Sequence, residues 1–337
     1  MSWVITGGAG FIGTNFCEFL VEHGIKPIVV DNLSRPGVER NALYLQGELG
    51  IDLRIADVAD RNELWQCLDS AGDLEHIVHL AGQVSFMASI KEPLRDFQVN
   101  GLGTLNVLEY VRTRVPTATV VGMSSNKVYG DLAQIEIVEG DTRFIAPRFS
   151  SGFGEDLPLD CHGPYGCSKG LADQYLADYG RTYGLKTASL RQSSVYGPHQ
   201  HPQSDQGWLA HIVTKAMKGE PIQLSGNGKQ VRDLLHAADL ANLLYELSLN
   251  LERSPYSQFN VGGGAANSMS LLEVFGWLRD NFGVSASFTT GPFRPSDQMV
   301  FVSNNHRIRG AVGWTPKIDV EVGMMQLTDV IIRGQQP

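Results

Sequence analysis

The sequence predicts an α/β fold, a doubly wound parallel sheet joined to a smaller mixed domain, and three observations predict it. A buried-strand run opens the chain and passes through a glycine turn into an amphipathic helix. A second apolar run ends on a carboxylate about twenty residues past those glycines. From there to residue 190, apolar strand runs alternate with helical stretches, the pattern of a parallel sheet with helices on both faces.

The opening run is Trp3-Val4-Ile5-Thr6, followed by Gly7-Gly8-Ala9-Gly10-Phe11-Ile12-Gly13 and then by the apolar positions Phe16, Phe19 and Leu20. Strand, glycine turn and helix in that order are the context a dinucleotide fingerprint requires. The glycines permit a tight turn, let backbone N–H groups approach a pyrophosphate, and let the helix pack closely on the sheet. Gly7, Gly10, Phe11, Ile12 and Gly13 are therefore candidate cofactor contacts, with the helix N-terminus facing the phosphates. The second run, Pro27-Ile28-Val29-Val30, ends in Asp31, and Asn32 follows. A carboxylate there accepts from the adenosine ribose hydroxyls and repels a 2′-phosphate. The expected cofactor is NAD; nearby Arg35 is the feature that points toward NADP instead. The sheet is thus expected to be of the Rossmann type.

Ligands of such sheets bind outside the carboxyl ends of the strands. The run Leu53-Arg54-Ile55-Ala56-Asp57-Val58 brings Asp57 and Val58 to the adenine, and a helix is expected near 60 to 71. The strand His76-Ile77-Val78-His79-Leu80 ends at Ala81-Gly82, so Leu80, Ala81 and Gly82 line the cofactor channel. One long helix is expected from about 94 to 114, and its Asn100 is counted with the cofactor contacts. It leads into Thr119-Val120-Val121-Gly122-Met123, which delivers Ser124-Ser125-Asn126-Lys127-Val128-Tyr129-Gly130 to the same edge. The segment from Asp131 to His162, carrying Arg143, Arg148 and Phe153, is either a lid over a bound substrate or a solvated excursion.

Of the ten tyrosines only Tyr165 has a lysine four residues on, Lys169, in the helix start Gly163-Pro164-Tyr165-Gly166-Cys167-Ser168-Lys169. One helical turn puts phenol and ammonium on the same face. The cation is expected to favour the phenolate and bring the tyrosine down from its usual value of about 10, making it a usable base near neutral pH.

Composition bounds the rest. A chain of 337 residues, 42% hydrophobic and 19% charged, can bury a large core in one large domain or two. No stretch approaches the 18 or so apolar residues of a membrane span, and the chain opens on its first strand, so a soluble cytoplasmic protein without a signal peptide is expected. Cys17, Cys67, Cys161 and Cys167 lack C-x-x-C spacing and read as reduced thiols. The nine histidines do not cluster into a ligand set; His199 and His201 are close, but neither carboxylate nor cysteine joins them at usual spacing, so no metal is expected. A net charge of −9 argues against nucleic acid as a partner.

Glycine turn, acidic strand end, serine-bearing strand end and Tyr-x-x-x-Lys occur in that order, and with them the chain resembles the extended short-chain dehydrogenase/reductase family, in its nucleotide-sugar branch. The resemblance continues through Leu190-Arg191-Gln192-Ser193-Ser194-Val195-Tyr196-Gly197-Pro198, Gly226-Asn227-Gly228-Lys229-Gln230-Val231-Arg232-Asp233, Arg294-Pro295-Ser296-Asp297 and Gly313-Trp314-Thr315-Pro316. It implies an enzyme with Ser125, Tyr165 and Lys169 as catalytic residues, Lys169 also bonding the nicotinamide ribose. It further implies Arg232 and Arg294 on the diphosphate, where forked guanidiniums suit bidentate contact, and Asp297 on the nucleotide ribose. Asn227 and Gln230 would help close the nucleotide pocket, and Ser124, Asn126, Lys127, Ser193, Ser194 and Gln206 complete the substrate contacts. The implied division is a cofactor domain from 1–190 and 230–262 and a nucleotide-sugar domain from 191–229 and 263–337. The resemblance also implies a homodimer that pairs the helices near 94 to 114 and 165 to 184. By sequence, the apolar stripe Leu102, Leu105, Val107 and Leu108 faces either that partner or the chain's own sheet.

The residues after Ser125 bear on reaction type. Dehydratases of this family carry an Asp-Glu pair there, and decarboxylases a glutamate. This chain has Asn126-Lys127, neither of which can be the carboxylic acid or base that dehydration requires. Oxidation followed by return of hydride, an epimerisation, is the chemistry left. Among the epimerases, the blocks around Ser125, Tyr165 and Ala172-Asp173-Gln174-Tyr175, then Asp205-Gln206-Gly207-Trp208 and Arg232-Asp233, are similar to the group acting at C2 of a CDP-linked sugar. A 4-epimerase of a UDP- or GDP-sugar, a net reductase and a non-catalytic dinucleotide-binding regulator are the other readings.

Overall fold

The computed structural model describes residues 2–201, 207–252, 257–294 and 296–333. Among these, seven strands form one parallel sheet: β1 (Trp3–Thr6), β2 (Ile28–Asp31), β3 (Asp52–Ile55), β4 (His76–His79), β5 (Thr119–Ser125), β8 (Lys186–Gln192) and β12 (Gln258–Val261). Their order is β12-β8-β5-β4-β1-β2-β3, every neighbouring pair parallel. The order reverses between β1 and β4, where the carboxyl ends open a crevice.

The two-residue period of a strand divides the core. Ile5, Val29, Val78 and Val121 bury into one apolar cluster with α1 (Phe11–Glu22), α2 (Val38–Gly47) and α9 (Ala237–Asn250). Val4, Val30, Ile77 and Val120 bury into the other with α3 (Arg61–Asp69), α6 (Gly103–Arg114) and α7 (Gly163–Tyr183). Val107 and Leu108 are buried in this second cluster and Leu105 packs against it, so the stripe on α6 faces the chain's own sheet.

A second, mixed sheet is centred on β11 (Val231–His236). It pairs in parallel with β9 (Ser194–Tyr196) and β15 (Val300–Phe301) and antiparallel with β13 (Ser268–Ser270). From the stretch expected to return to the cofactor domain, 230–262, β12 joins the main sheet and β11 the small one. Around β11 pack α8 (Trp208–Met217), α10 (Leu271–Phe282) and α12 (Val320–Ile332), while β10 (Ile222–Gln223) pairs with β14 (Phe288–Thr289) and α11 (His306–Val312) lies beside β12.

Two expectations are corrected. The helix expected from 94 to 114 is broken: after α4 (Phe86–Lys91), α5 (Pro93–Phe97) runs into a π-helical turn, Gln98–Leu102, before α6 begins. Gly101 and Gly103 explain the packing there, since a Cβ on them would meet Leu171 at 2.8 Å and Val58 at 2.7 Å. The solvated reading of 131–162 holds only in part: most of the segment is exposed or half-buried, but it is anchored at a few points. Its hairpin, β6 (Val138–Glu139) with β7 (Phe144–Ile145), ends in a strap whose Phe153 is fully buried and donates its N–H to the Val302 carbonyl at 2.7 Å. Arg143 is paired with Glu273 on α10.

A buried ion pair fastens α7 to the sheet. Arg191 on β8 donates through Nη2 to Asp173 Oδ2 at 2.7 Å and through Nε to Oδ1 at 3.1 Å, and Ser189 adds a bond to Oδ1 at 2.7 Å. Removing one partner of such a pair strands the other in a dry interior. Asp173→Ala is therefore expected to lower the unfolding free energy by about 3–5 kcal/mol, read from urea denaturation.

Candidate active site

The glycine turn has the shape that a bound dinucleotide requires. Gly7 takes φ +71°, and a Cβ there would lie 2.4 Å from the Ala81 nitrogen, so only glycine lets the end of β4 approach the turn. At Gly13 a Cβ would meet Gly8 Cα at 2.5 Å, the close packing of helix on turn. Gly10 is the N-cap of α1, no side chain caps that helix, and a Cβ on Gly10 would meet only the Gly7 carbonyl, at 3.1 Å. The amide N–H groups of the first turn, from Phe11 and Ile12 on, are thus presented to open space suited to phosphate oxygens.

Asp31 closes β2 beside this turn and accepts from the Ala9 N–H at 3.1 Å and the Leu33 N–H at 2.9 Å. Burial outweighs those bonds and holds its carboxyl above the usual carboxylate value. Asn32 donates to Asp57 at 3.0 Å, and Asp57 is also paired with Arg95, a residue the sequence did not flag. Val58 is buried, and its carbonyl accepts from Asn106 at 2.9 Å. Leu80, Ala81 and Gly82 follow β4, and a Cβ on Gly82 would meet Lys169 Nζ at 3.0 Å and Asn100 Oδ1 at 3.1 Å.

Ser125, Tyr165 and Lys169 converge as expected, all buried. Ser124 Oγ donates to the Lys169 carbonyl at 3.2 Å, which ties α7 to the end of β5, and the Ser125 hydroxyl donates to Asn126 Oδ1 and accepts from the Lys127 N–H, both at 3.2 Å, beside the Tyr165 phenol. The expected charge effect is not what this site shows. Burial pushes the phenol of Tyr165 up to about 12; Ser125 pulls it down and Asp96 pushes it up. Lys169, brought down by burial to about 8, donates to the Met123 carbonyl at 3.0 Å. The same-face geometry is present, but the ammonium is occupied by a backbone carbonyl and desolvation dominates both groups.

Past Ser125 the structure forms a connected polar cluster. Lys127 pairs with Asp297 at 3.5 Å and Arg232 pairs with it at 3.0 Å. Burial, and next the charge of Arg232, push the Lys127 amine down to about 8, with Asp297 opposing them. Burial raises Asp297, but Arg232 and Lys127 outweigh it and hold the carboxyl below its usual value. Arg232 does not pair with its neighbour Asp233, which is fully buried and accepts from the Ser303 and Gly264 amides at 3.0 Å. Gln230 donates to the Ser225 carbonyl at 2.7 Å and to Asp297 at 3.5 Å. Arg294 is exposed and donates to the Ser225 hydroxyl at 3.0 Å. Ser193 bonds the Asp233 carbonyl at 3.4 Å, and Ser194 accepts from Trp208 at 3.0 Å. Asn227 lies toward the strap, 3.4 Å from Glu139. Gln206 falls outside the described residues.

Sequence reasoning missed Gln298. It is fully buried, accepts from Asn126 Nδ2 at 2.8 Å, and donates to the carbonyls of Asn126 at 3.0 Å and Gly130 at 2.8 Å. Its place next to Asp297 was the only available signal. The histidine reading also missed a distant partner: His199 pairs with Glu18 at 3.4 Å. Asp131, Asp160 and His162 bring ligand-type atoms within 4.8 Å of one another, a grouping their sequence separation conceals.

The comparisons agree with this geometry. Residues 3–262 match the profile described as the NAD dependent epimerase/dehydratase family. The chain is 41% identical over 334 residues to a CDP-paratose 2-epimerase of Salmonella typhi, covering 98% of each chain. Among solved structures, it is similar to a Thermus thermophilus UDP-glucose 4-epimerase in complex with NAD, with TM-score 0.81, 29% identity and 99% of each chain covered. A Thermotoga maritima UDP-glucose 4-epimerase with UDP-glucose superposes with TM-score 0.82 at 28% identity, again over 99% of each chain. The chain belongs to the NAD dependent epimerase/dehydratase family. It is an enzyme of the nucleotide-sugar branch, and its cofactor is NAD.

Beneath the glycine turn, His79 accepts or donates one hydrogen bond with Thr6 at 2.7 Å and one with Thr104 at 3.2 Å, and burial pushes its ring down to about 3. The ring is neutral when folded and takes a proton near pH 6.5 once unfolded. Its contribution to stability is therefore intact above pH 6.5 and is lost as pH falls toward 3. Between those values the unfolding free energy of His79→Asn is expected to fall less steeply than that of the parent, measured by denaturant titration at successive pH values.

Proposed function

We propose that this enzyme inverts C2 of a CDP-linked sugar, converting CDP-paratose to CDP-tyvelose by transient oxidation and return of hydride to the opposite face. The observation that carries the reading is the end of β5, where Ser125 meets Tyr165 while Asn126 and Lys127 occupy the places a dehydratase fills with carboxylates. The 41% identity to a CDP-paratose 2-epimerase across nearly the whole chain supports the choice of sugar and base. A UDP-glucose 4-epimerase reading has support from the two structural neighbours at lower identity.

In this reading Gly7, Gly10, Phe11, Ile12 and Gly13 hold the pyrophosphate and Asp31 the adenosine ribose, with Asn32, Asp57 and Val58 at the adenine and Leu80 to Gly82 along the channel. When bound, NAD accepts hydride from the sugar carbon and returns it within one turnover, so no external redox partner is needed. Tyr165 takes the proton from the sugar hydroxyl and gives it back, and Ser125 orients that hydroxyl. Lys169, on the same helical face, bonds the nicotinamide ribose. Arg294, exposed beside Ser225, and Arg232 take the diphosphate, and Asp297 the ribose. Asn126 and Lys127, braced by Gln298 and Asp297, position the sugar.

The cofactor part is assigned to 1–190 and 230–262 and the sugar part to 191–229 and 263–337, with β11 bridging them. A homodimer belongs to the same reading: Met87, Ile90, Leu94 and Phe97 on α4 and α5 are exposed apolar side chains available to a second copy. So does a cytoplasmic setting, which the four free thiols support. Among the described residues no helix is long and apolar enough to cross a membrane.

Two measurements test the reading. Purified protein without added cofactor, incubated with a panel of nucleotide sugars led by CDP-paratose, is expected to invert C2 in the proton NMR spectrum. Inversion at C4 of a UDP- or GDP-sugar would move the substrate, and stoichiometric NAD(P)H consumption would make the enzyme a reductase. Tyr165→Phe is expected to keep its bound NAD and lose about 10²- to 10⁴-fold in turnover, the range for a general acid-base group. Parental turnover in that variant would remove Tyr165 from its role.

A further inference from the structure

A buried carboxylate beside Tyr165 and Lys169 has no part in the scheme above. Asp96, on α5, is fully buried. Its Oδ1 accepts from Gln83 Nε2 at 2.8 Å and from Asn100 Nδ2 at 3.3 Å. Its Oδ2 is buried with no donor in bonding geometry. Burial holds this carboxyl above the usual carboxylate value, while Ser168, the charge of Lys169 and Gln83 pull it down, so a nearby cation is what favours its ionised form.

The surrounding bonds lead to that cation. Asn100, held in the π-helical turn, accepts the Gln83 backbone N–H at 2.9 Å and donates to the Ser168 hydroxyl at 2.9 Å. Ser168 in turn donates to the Tyr165 carbonyl at 3.1 Å. Lys169 Nζ and Asn100 Oδ1 converge on Gly82, where a Cβ would meet them at 3.0 and 3.1 Å. Asp96 is therefore held by Gln83 and Asn100, and Asn100 in turn bonds Ser168 on α7 and lies with Lys169 Nζ beside Gly82. We propose that Asp96 is the buried counter-ion of Lys169, a positioning residue that keeps the ammonium charged and sets the pH range in which the Tyr165–Lys169 pair works. The inference rests on the reading of Tyr165 and Lys169 as the catalytic pair.

The charges around the pair agree. Lys169 lies in the field of Asp96 from α5 and acts in turn on His79 of β4, while Tyr165 lies in the field of Asp96 and of Arg35 from the segment after β2. His79 is neutral and Arg35 is a cation, so Asp96 is the anion of the set. Burial brings Lys169 down, and Asp96 opposes it; the same negative charge also holds the Tyr165 phenol up. Removing it lowers both values, since an anion stabilises a neighbouring ammonium and destabilises a neighbouring phenolate.

The test reads Lys169 directly, in the NAD-loaded protein as purified. With lysine labelled at Cε by carbon-13, the Lys169 resonance is assigned by its loss in Lys169→Met and titrated against pH. In Asp96→Asn its midpoint is expected to fall by about one pH unit or more, the effect of an opposite charge at close range. Gln83→Leu keeps the carboxylate but removes a donor to it, and is expected to move the midpoint in the same direction by less. Should Asp96→Asn fail to fold, Gln83→Leu decides. An unmoved Lys169 midpoint overturns the proposal whether or not the enzyme inverts a sugar. A moved midpoint in a protein that inverts no sugar keeps the counter-ion and overturns the epimerase reading instead. In the active enzyme, both limbs of the pH–rate profile are expected to move to lower pH in Asp96→Asn, which a purely structural role would not produce.

Discussion

The buried pair of Arg191 and Asp173 is the constraint on which the site depends. Arg191 stands opposite Ser124 in the register of β8 against β5, and Asp173 lies one helical turn beyond Lys169 on α7. The pair therefore fixes the helix that carries Tyr165 and Lys169 against the strand that carries Ser125. Burying two charges is costly, and the cost is recovered only when geometry is good and the remaining valences are filled. Here Ser189 fills one on the carboxylate, and Tyr129, bonded to Arg191 at 2.8 Å and to Asn260 at 2.8 Å, fills one on the guanidinium. Through Asn260 the network reaches β12 and the Phe153 carbonyl of the strap.

Around this fixed frame, desolvation governs the chemistry. Tyr165 and Lys169 are both moved by burial away from their charged forms. A site that excludes water makes each remaining charge count for more. That is why so few ionic groups surround the pair, and why each has a defined partner. The cluster past Ser125 is arranged differently, with Lys127, Arg232 and Asp297 forming a compact ionic group beside the exposed Arg294. Gln298 stitches the two ends together by bonding both faces of the Asn126 peptide and side chain.

Much of this was legible in the chain. The glycine turn, Asp31, Tyr165 and Lys169 follow from local spacing, because a strand end, a turn and one helical turn are short-range geometries, while Ser125 came from the family resemblance. The alternation of strand and helix gave the sheet type for the same reason. Arg95, Gln298 and Asp96 were not legible, since each acts through a partner remote in sequence or in another element. The break in the helix at Gln98–Leu102 was missed because apolar periodicity continues through it; Gly101 and Gly103 were its only trace.

The amino-acid sequence alone determined the class of sheet and the cofactor and singled out the candidate reacting side chains, all carried by patterns a few residues long. Tertiary structure decided what those side chains are electrically. Whether Lys169 lowers the tyrosine, which cation Asp297 holds and where Asp233 is buried depend on desolvation and on charges from other elements. Burial is a property of the assembled fold, and no spacing along the chain encodes it.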